Sequence, residues 1–517
     1  MGVVQMRAAV AWLLGLAGAA GLLGGCAGDG TGTPAGAARY ESATCPVPNF
    51  PGVPAADLGQ DYGCGYLTVR ENRSVGGGRT IRILVARVKA ISPTPKPDPI
   101  VYLAGGPGGA GTLSAPGVVA GGMNADRDVI FVNQRGTIHS DPFLSCPEMD
   151  EFAARSIGWP YADEATAAAD AASVAACRDR LGRTRADLAS YNSRENAADI
   201  AELRKALGIA EWNVYGVSYG TDLALQLLRD HPEGIRSVVL DSVVPPNRNL
   251  IDQWWEAPAS GLAAIASACM AQPACAHAYP DLSSIFTATV NRLHAAPVLV
   301  EVRNAAGTSV PVIIDGFKLI SLLLEKSATP TTVADFPRLI DNLARGDGTL
   351  AATAIAASEV PVTQRGLVGA GLALTTYCGE MANWTTPERA LAQARIAMPA
   401  LPDAVLRIAP TGSFFFAECR AWGGGRSDPA LLVATVSAVP TLILAGTFDS
   451  STAPAWVGQV TTGLPHAVVL HFPGVGHGVI PTSACAQSIM TEFLDRLDAG
   501  VDRTCIARMS PPAFRAP

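Results

Sequence analysis

Apolar residues fall along this chain in two rhythms, and the change of rhythm divides it into three stretches. Alternating apolar and polar positions at Gly65–Val69 and Thr80–Val88, joined through Gly76-Gly77-Gly78, predict an opening antiparallel hairpin. Short apolar runs follow near Ile100–Leu103, Asp128–Val132, Trp212–Tyr215 and Val238–Leu240, each the length of a buried strand. Helical spacing appears around Ala197–Leu207 and again at Leu223, Leu225, Leu227 and Leu228. Strand–helix alternation of this kind predicts an α/β fold with a mostly parallel sheet covered by helices on both faces. From about Pro245 to Ala438 helical spacing takes over, with Trp254, Trp255, Leu319–Leu324, Leu339 and Leu343 prominent. The sheet rhythm resumes at Val439, with strands read in Pro440–Gly446 and Val468–Phe472. An insertion that long between two core strands predicts a large helical cap over the active site. No internal repeat stands out.

The chemistry lies in three remote segments. Gly216-Val217-Ser218-Tyr219-Gly220 follows an apolar run and precedes a helix pattern, the strand–turn–helix context of a nucleophile elbow. The flanking glycines allow a sharp turn, which exposes the Ser218 hydroxyl above the sheet edge. A serine hydroxyl is a weak nucleophile and needs an adjacent base to take its proton. Of the seven histidines, only His477 sits in a glycine-rich loop after the last strand. Asp449 follows the strand in Pro440–Gly446 and would orient that imidazole. Asp241, at the end of Ser237-Val-Val-Leu, is the alternative acid, one strand earlier. The order nucleophile, acid, histidine is that of the α/β-hydrolase fold. A fourth part, an oxyanion hole, is read from Val101–Gly111, an apolar strand running into a glycine-rich loop. The donors are the N–H groups of Gly106 (or Gly105) and Tyr219. The loop fits no phosphate-binding fingerprint, because no Gly-Lys-Ser/Thr follows it.

Gly105-Gly106-Pro107-Gly108-Gly109, Asn133-Gln134-Arg135-Gly136 and the Gly-Val-Ser-Tyr-Gly-Thr elbow together resemble the prolyl and tripeptidyl aminopeptidase branch of α/β-hydrolases. The tract from Asn196 to Gly208 and the tail from Gly474 through Cys485 to Cys505 are similar to the secreted tripeptidyl aminopeptidase-like members. The resemblance covers most of the mature chain. It implies a serine peptidase that releases short peptides from free N-termini, without metal or organic cofactor. It also implies a cap that restricts access and holds acidic groups for the substrate's α-ammonium. Glu380, in Tyr377-Cys-Gly-Glu, and Glu418, beside Cys419, are the candidates. Two positions depart from the family pattern. Ala104 stands where prolyl aminopeptidases usually carry histidine, which favours the tripeptidyl type, and Asn133 replaces the more usual aspartate. Arg135 is read as a brace beside the oxyanion strand, and Phe414-Phe-Phe as packing.

The first residues change the expected compartment. Met1–Gly25 holds Arg7 and an apolar stretch, then Leu23-Gly24-Gly25-Cys26, and reads as a secretory signal. The last four residues resemble a bacterial lipobox, implying cleavage before Cys26 and a diacylglycerol anchor on its sulfur. The alternative is an ordinary signal peptide and a secreted protein. Removing Cys26 from the 11 cysteines leaves ten, an even number for an oxidising space. Local spacing suggests Cys45–Cys64, Cys146–Cys177, Cys269–Cys275, Cys378–Cys419 and Cys485–Cys505, and no Cys-x-x-Cys pair supports zinc. The 517 residues are 49% hydrophobic, ample for a large core, and the net charge of −7 gives no support to a nucleic-acid partner.

The expected organisation is therefore a signal peptide (1–25), a flexible tether (26–44), a hydrolase core in two parts (45–244 and 439–517) and the cap (245–438). The expected activity is an exported, membrane-anchored serine aminopeptidase of tripeptidyl type acting on peptides. A carboxylesterase using the same triad and a catalytically silent envelope-binding protein are the other readings. Cleavage preference, natural substrate and oligomeric state are left open.

Overall fold

A computed structural model describes residues 38–46, 58–304, 307–360, 364–408, 414–498 and 500–516. Residues 1–25, expected to be a signal peptide, and Cys26 lie outside the described residues. Nine strands form one sheet: β1 (Arg39–Ala43), β2 (Tyr62–Arg70), β3 (Thr80–Val88), β4 (Ile100–Leu103), β5 (Val129–Val132), β6 (Trp212–Val217), β7 (Ile235–Asp241), β10 (Thr441–Gly446) and β11 (Ala467–Phe472). Their spatial order is β1-β2-β3-β5-β4-β6-β7-β10-β11. The first three pair antiparallel and β3 meets β5 antiparallel, whereas β5, β4, β6, β7, β10 and β11 run parallel. The parallel strands are continuous apolar runs because both faces are covered. Val101, Val214, Val238 and Ile443 pack on one face; Tyr102, Tyr215, Val239 and Leu444 pack on the other.

Strand β1 corrects the reading of residues 26–44 as a tether throughout. Arg39–Ala43 pairs in register with Cys64–Thr68, and the Cys45–Cys64 disulfide closes the corner. The Tyr40 ring lies over Gly65, where a Cβ would come within 2.4 Å of it. Only one side chain of the five is even partly buried, so the local pattern carries no strand signal.

Between β7 and β10 the chain is mostly helical, and the helices Glu256–Met270, Leu282–Ala295, Gly316–Lys326 and Phe336–Ala344 share one apolar cluster. Two features differ from a purely helical insertion. A hairpin, β8 (Val298–Arg303) and β9 (Ser309–Ile314), packs Val302, Val312 and Ile314 onto the same cluster. A second excursion, between β5 and β6, brings the helices Pro147–Arg155 and Glu164–Gly182 against this region. Met149, Val174 and Leu181 share a cluster with Trp254, Tyr377, Phe415 and Trp422. The cover over the sheet is thus built from two insertions. Cys146–Cys177 and Cys378–Cys419 are disulfides within its two halves. Cys269–Cys275 and Cys485–Cys505 are also bonded.

Candidate active site

Strand β6 ends at Val217 and the helix Tyr219–Asp230 begins one residue later, so Ser218 alone makes the turn. It does so at φ 57° and ψ −128°, a conformation that only surrounding structure can hold. The neighbours explain the glycines. A Cβ on Gly216 would lie 2.2 Å from the Gly220 carbonyl oxygen, and one on Gly220 would lie 2.1 Å from that of Leu103. The loop after β4 closes in from the other side: a Cβ on Gly105 would sit 2.8 Å from Cβ of Ser218. Ser218 is 3% exposed.

Asp449 follows β10, and His477 follows β11. The His477 Nδ1 lies 3.0 and 2.9 Å from the two Asp449 carboxylate oxygens. Asp449 also accepts from the Ser451 and Thr452 N–H groups, each at 2.8 Å, and from the Thr452 hydroxyl at 2.7 Å. Burial disfavours its charge, but His477 and the Thr452 donors outweigh that and hold the carboxyl below its ordinary range. An ionised Asp449 makes Nδ1 the protonated nitrogen and leaves the Nε2 lone pair free to accept a proton. Nε2 is buried and has no hydrogen-bond partner among the described residues.

Asp241 does a different job. Its carboxylate accepts from the Val479 and Ile480 N–H groups at 2.7 and 2.9 Å and from the Tyr215 hydroxyl at 3.0 Å. Its backbone carbonyl accepts from Ser218 N–H at 2.9 Å. The neighbouring Ser242 hydroxyl accepts from Gly478 N–H at 2.9 Å. One strand end therefore ties the serine elbow to the histidine loop, while Asp449 holds the imidazole itself.

Gly106 and Tyr219 line one cavity with Ser218, together with Pro107, Val244, Leu250, Trp254, Tyr377, Met381, Ser451, Thr452 and Trp456. The empty space around these residues, open solvent at its mouth included, is about 330 Å³. The Tyr377 hydroxyl donates to the Gly106 carbonyl at 2.7 Å, so the cover grips the glycine-rich loop directly. From below, Gln134 donates to the Ala104 carbonyl at 2.9 Å, and Asn133 accepts from Thr112 N–H at 3.0 Å. Arg135 is wholly buried, makes two 2.8 Å bonds to Asp199 and donates to the Glu71 and Ser190 carbonyls. It braces the loops. Tyr219 stands at the N-terminus of its helix, where N–H groups and the helix dipole favour a developing negative charge.

The family model for the alpha/beta hydrolase fold matches residues 98–484, from before β4 to beyond the histidine loop. The chain belongs to the alpha/beta hydrolase family. A tripeptidyl aminopeptidase of Streptomyces coelicolor is 31% identical over 205 residues, 38% of this chain and 37% of that protein. The serine protease Hip1 of Mycobacterium tuberculosis is 27% identical over 198 residues, 37% of each chain. The chain thus spans little more than a third of the length of these curated relatives. The solved structure of a proline iminopeptidase from Mycobacterium smegmatis aligns at 15% identity and a TM-score of 0.38, over 84% of this chain and 100% of that one.

This alpha/beta hydrolase is an enzyme whose acidic candidates in the cover do not face the cavity. Glu380 lies in the π-helical turn Tyr377–Met381, and its two oxygens accept from the Ser193 N–H at 2.8 Å and the Ser193 hydroxyl at 2.7 Å. Burial, with Asp222 nearby, raises its pKa to about 8, so the carboxyl is protonated at neutral pH. Its flanking residues Tyr377 and Met381 reach the cavity; Glu380 points behind them. A neutral, doubly engaged carboxyl is a poor partner for an ammonium, which corrects the expectation for this residue. Glu418 is 4% exposed on the helix Phe415–Trp422 and is absent from the cavity wall. Phe414 stacks on Tyr161 and Phe415 on Trp254, so this aromatic run packs. Thr452 went unnoticed in the sequence, although an aspartate followed by Ser-Ser-Thr after a strand signals a turn closed on that carboxylate. The wall residues Val244, Leu250, Tyr377, Met381 and Trp456 give no such signal.

Proposed function

We propose that this chain is an exported serine aminopeptidase of tripeptidyl type, anchored at a membrane through an acylated Cys26. Ser218 attacks the scissile carbonyl and His477 takes its proton, then delivers it to the leaving amine. Asp449 fixes the imidazole tautomer and stabilises its charged form. The N–H groups of Gly106 and Tyr219 stabilise the oxyanion. Water, activated by the same histidine, then hydrolyses the acyl-enzyme. The carrying observation is the convergence of a hydrogen-bonded His477–Asp449 pair and the strained Ser218 elbow on one sheet end. The peptidase names of the relatives supply the substrate class.

The test compares free and N-acetylated tripeptide anilides. The proposal expects turnover of the free peptides at least about 100-fold above the blocked ones, abolished by Ser218→Ala. Equal turnover of both would remove the exopeptidase claim. A second reading, carboxylesterase, draws on the cavity wall, which among the described residues contains no carboxylate to meet an ammonium. A rate on short acyl esters far above that on every peptide would select it.

A further inference from the structure

Every residue of the π-helical turn Tyr377–Met381 is tied to something outside it. The Tyr377 hydroxyl donates to the Gly106 carbonyl at 2.7 Å, and Cys378 is bonded to Cys419. The Gly379 carbonyl accepts from the Ser427 N–H at 2.9 Å and from the Trp384 indole at 3.0 Å. Asn249 donates to the Met381 carbonyl at 2.9 Å. Glu380 engages Ser193 through both its oxygens, and the Ser193 hydroxyl lies 2.8 Å from the Tyr219 hydroxyl. Tyr377, Glu380, Ser193 and Tyr219 are all buried, so water does not compete for these bonds. A π-helical turn is rare, and such turns concentrate at functional sites. The two polar side chains of this one reach the two residues assigned as oxyanion donors, one directly and one through Ser193.

We propose that the turn Tyr377–Met381 positions both halves of the oxyanion hole, Tyr377 by holding Gly106 and Glu380 by holding Tyr219 through Ser193. The proposal deepens the reaction proposed above and rests on Ser218 as its nucleophile, with those two N–H groups as donors. Gly106 has no side chain to anchor it and sits at φ 132°, a region that glycine alone adopts freely. Hydrogen bonds must therefore set its orientation, and the Tyr377 hydroxyl holds its carbonyl. Tyr219 opens its helix, and its ring reaches to Ser193, the first residue of the helix Ser193–Ala206. Fixing the far end of that ring fixes the helix end that presents the Tyr219 N–H. Donors stabilise an oxyanion only within about 2.7–3.1 Å of it, so both have to be held at once. Tyr377 and Glu380 are positioning residues, acting through Gly106 and Tyr219.

The experiment measures phosphonylation of Ser218 by an alkyl fluorophosphonate in the intact protein, because the phosphoryl oxygen takes the place of the oxyanion. The reagent needs no free N-terminus, so failure of the aminopeptidase reading leaves the test intact. Tyr377→Phe and Ser193→Ala each remove one hydroxyl and cut one arm. Each should lower the maximal labelling rate about tenfold with the half-saturating concentration unchanged, the cost of a misplaced donor. The phosphorus NMR resonance of the Ser218 adduct should move in both variants as the hydrogen bonds to its oxygen change. Glu380→Gln, which keeps a link to Ser193, should recover most of what Glu380→Ala loses. Trp255→Phe controls for a merely loosened cover: it removes the indole bond to the Leu406 carbonyl, touches neither arm and should keep the wild-type resonance. A wild-type rate and resonance in either hydroxyl variant would overturn the proposal, as would an equal displacement in Trp255→Phe. If one hydroxyl variant fails to fold, the other still decides. A wild-type enzyme that does not label at Ser218 would instead remove the nucleophile itself, a failure seen before any variant is made.

Discussion

The sheet end that carries Ser218 and the cover above it are built by opposite means. At the sheet end backbones approach one another so closely that side chains have to be absent. Gly216 and Gly220 meet carbonyl oxygens, and a Cβ on Gly446 would lie 2.3 Å from the Gly476 carbonyl oxygen beside His477. Asp241 then stitches the two loops together: its carboxylate accepts from the Val479 and Ile480 N–H groups and its backbone carbonyl accepts from the Ser218 N–H. In the cover, side chains do the work: Trp254, Tyr377, Phe415 and Trp422 fill one cluster drawn from two separate insertions. The lesson is a division of labour. The chemistry depends on main-chain geometry that tolerates no extra atom, whereas the shape of the cavity depends on aromatic packing that can vary.

The sharpest break of this comparison is Gly220→Ala. Its Cβ meets Leu103 backbone, which cannot rotate away, so destabilisation of about 4 kcal/mol or more, with loss of soluble enzyme, is expected. Gly117→Ala is the control, because a Cβ there meets nothing within 4 Å inside the helix Gly111–Ala120. It should be neutral or stabilising by about 0.5–1 kcal/mol in denaturant melts. If both behave alike, close backbone approach is not what fixes the elbow.

Next in size is Asp241→Ala, which strands the Val479 and Ile480 N–H groups and the Tyr215 hydroxyl in the interior. Unsatisfied buried donors of this kind cost about 1–3 kcal/mol each before relaxation, so a loss of about 3 kcal/mol is expected. kcat should fall as well, because the loop carrying His477 loses its anchor. Asp241→Asn keeps one acceptor and should recover part of both. A variant with unaltered kcat and stability would show that the strand end does not position the histidine.

The smallest effect concerns the cover. Glu380 ionises near 4.5 in the unfolded chain and near 8 in the fold. Between those values the folded chain holds a proton that the unfolded chain has released, so stability falls as pH rises through that window. Glu380→Gln keeps acceptor and donor capacity toward Ser193 and removes the ionisation. It should raise Tm at pH 8, with the gain shrinking toward pH 5. A gain that is the same at both pH values would contradict a protonated Glu380.

Much of the core was legible in the sequence because its signals are local. Continuous apolar runs mark β4, β6, β7 and β10, and the glycine spacing around Ser218 reports a steric need inside five residues. Asp449 and His477 could be named because each follows a readable strand. What could not be read is non-local. Strand β1 pairs through its backbone and buries almost nothing, and its partner lies 21 or more residues away in register. Glu380 looked like a substrate-binding carboxylate until the fold brought Ser193 to it across 187 residues. Trp254 reads as ordinary helical core in sequence; its unpaired N–H exists only in three dimensions. The alternating valines of β8 and β9 were readable, but they lie within a helix-rich stretch that masked them.

The central claim is that Ser218 is made nucleophilic by the His477–Asp449 pair. The most direct measurement is the rate of covalent labelling by an alkyl fluorophosphonate, with the modified peptide identified by mass spectrometry. The account predicts a single adduct on Ser218, none in Ser218→Ala, and labelling slowed by about 1,000-fold or more in His477→Ala. Unmodified Ser218 in the folded wild-type enzyme, or labelling as fast without His477 as with it, would contradict it.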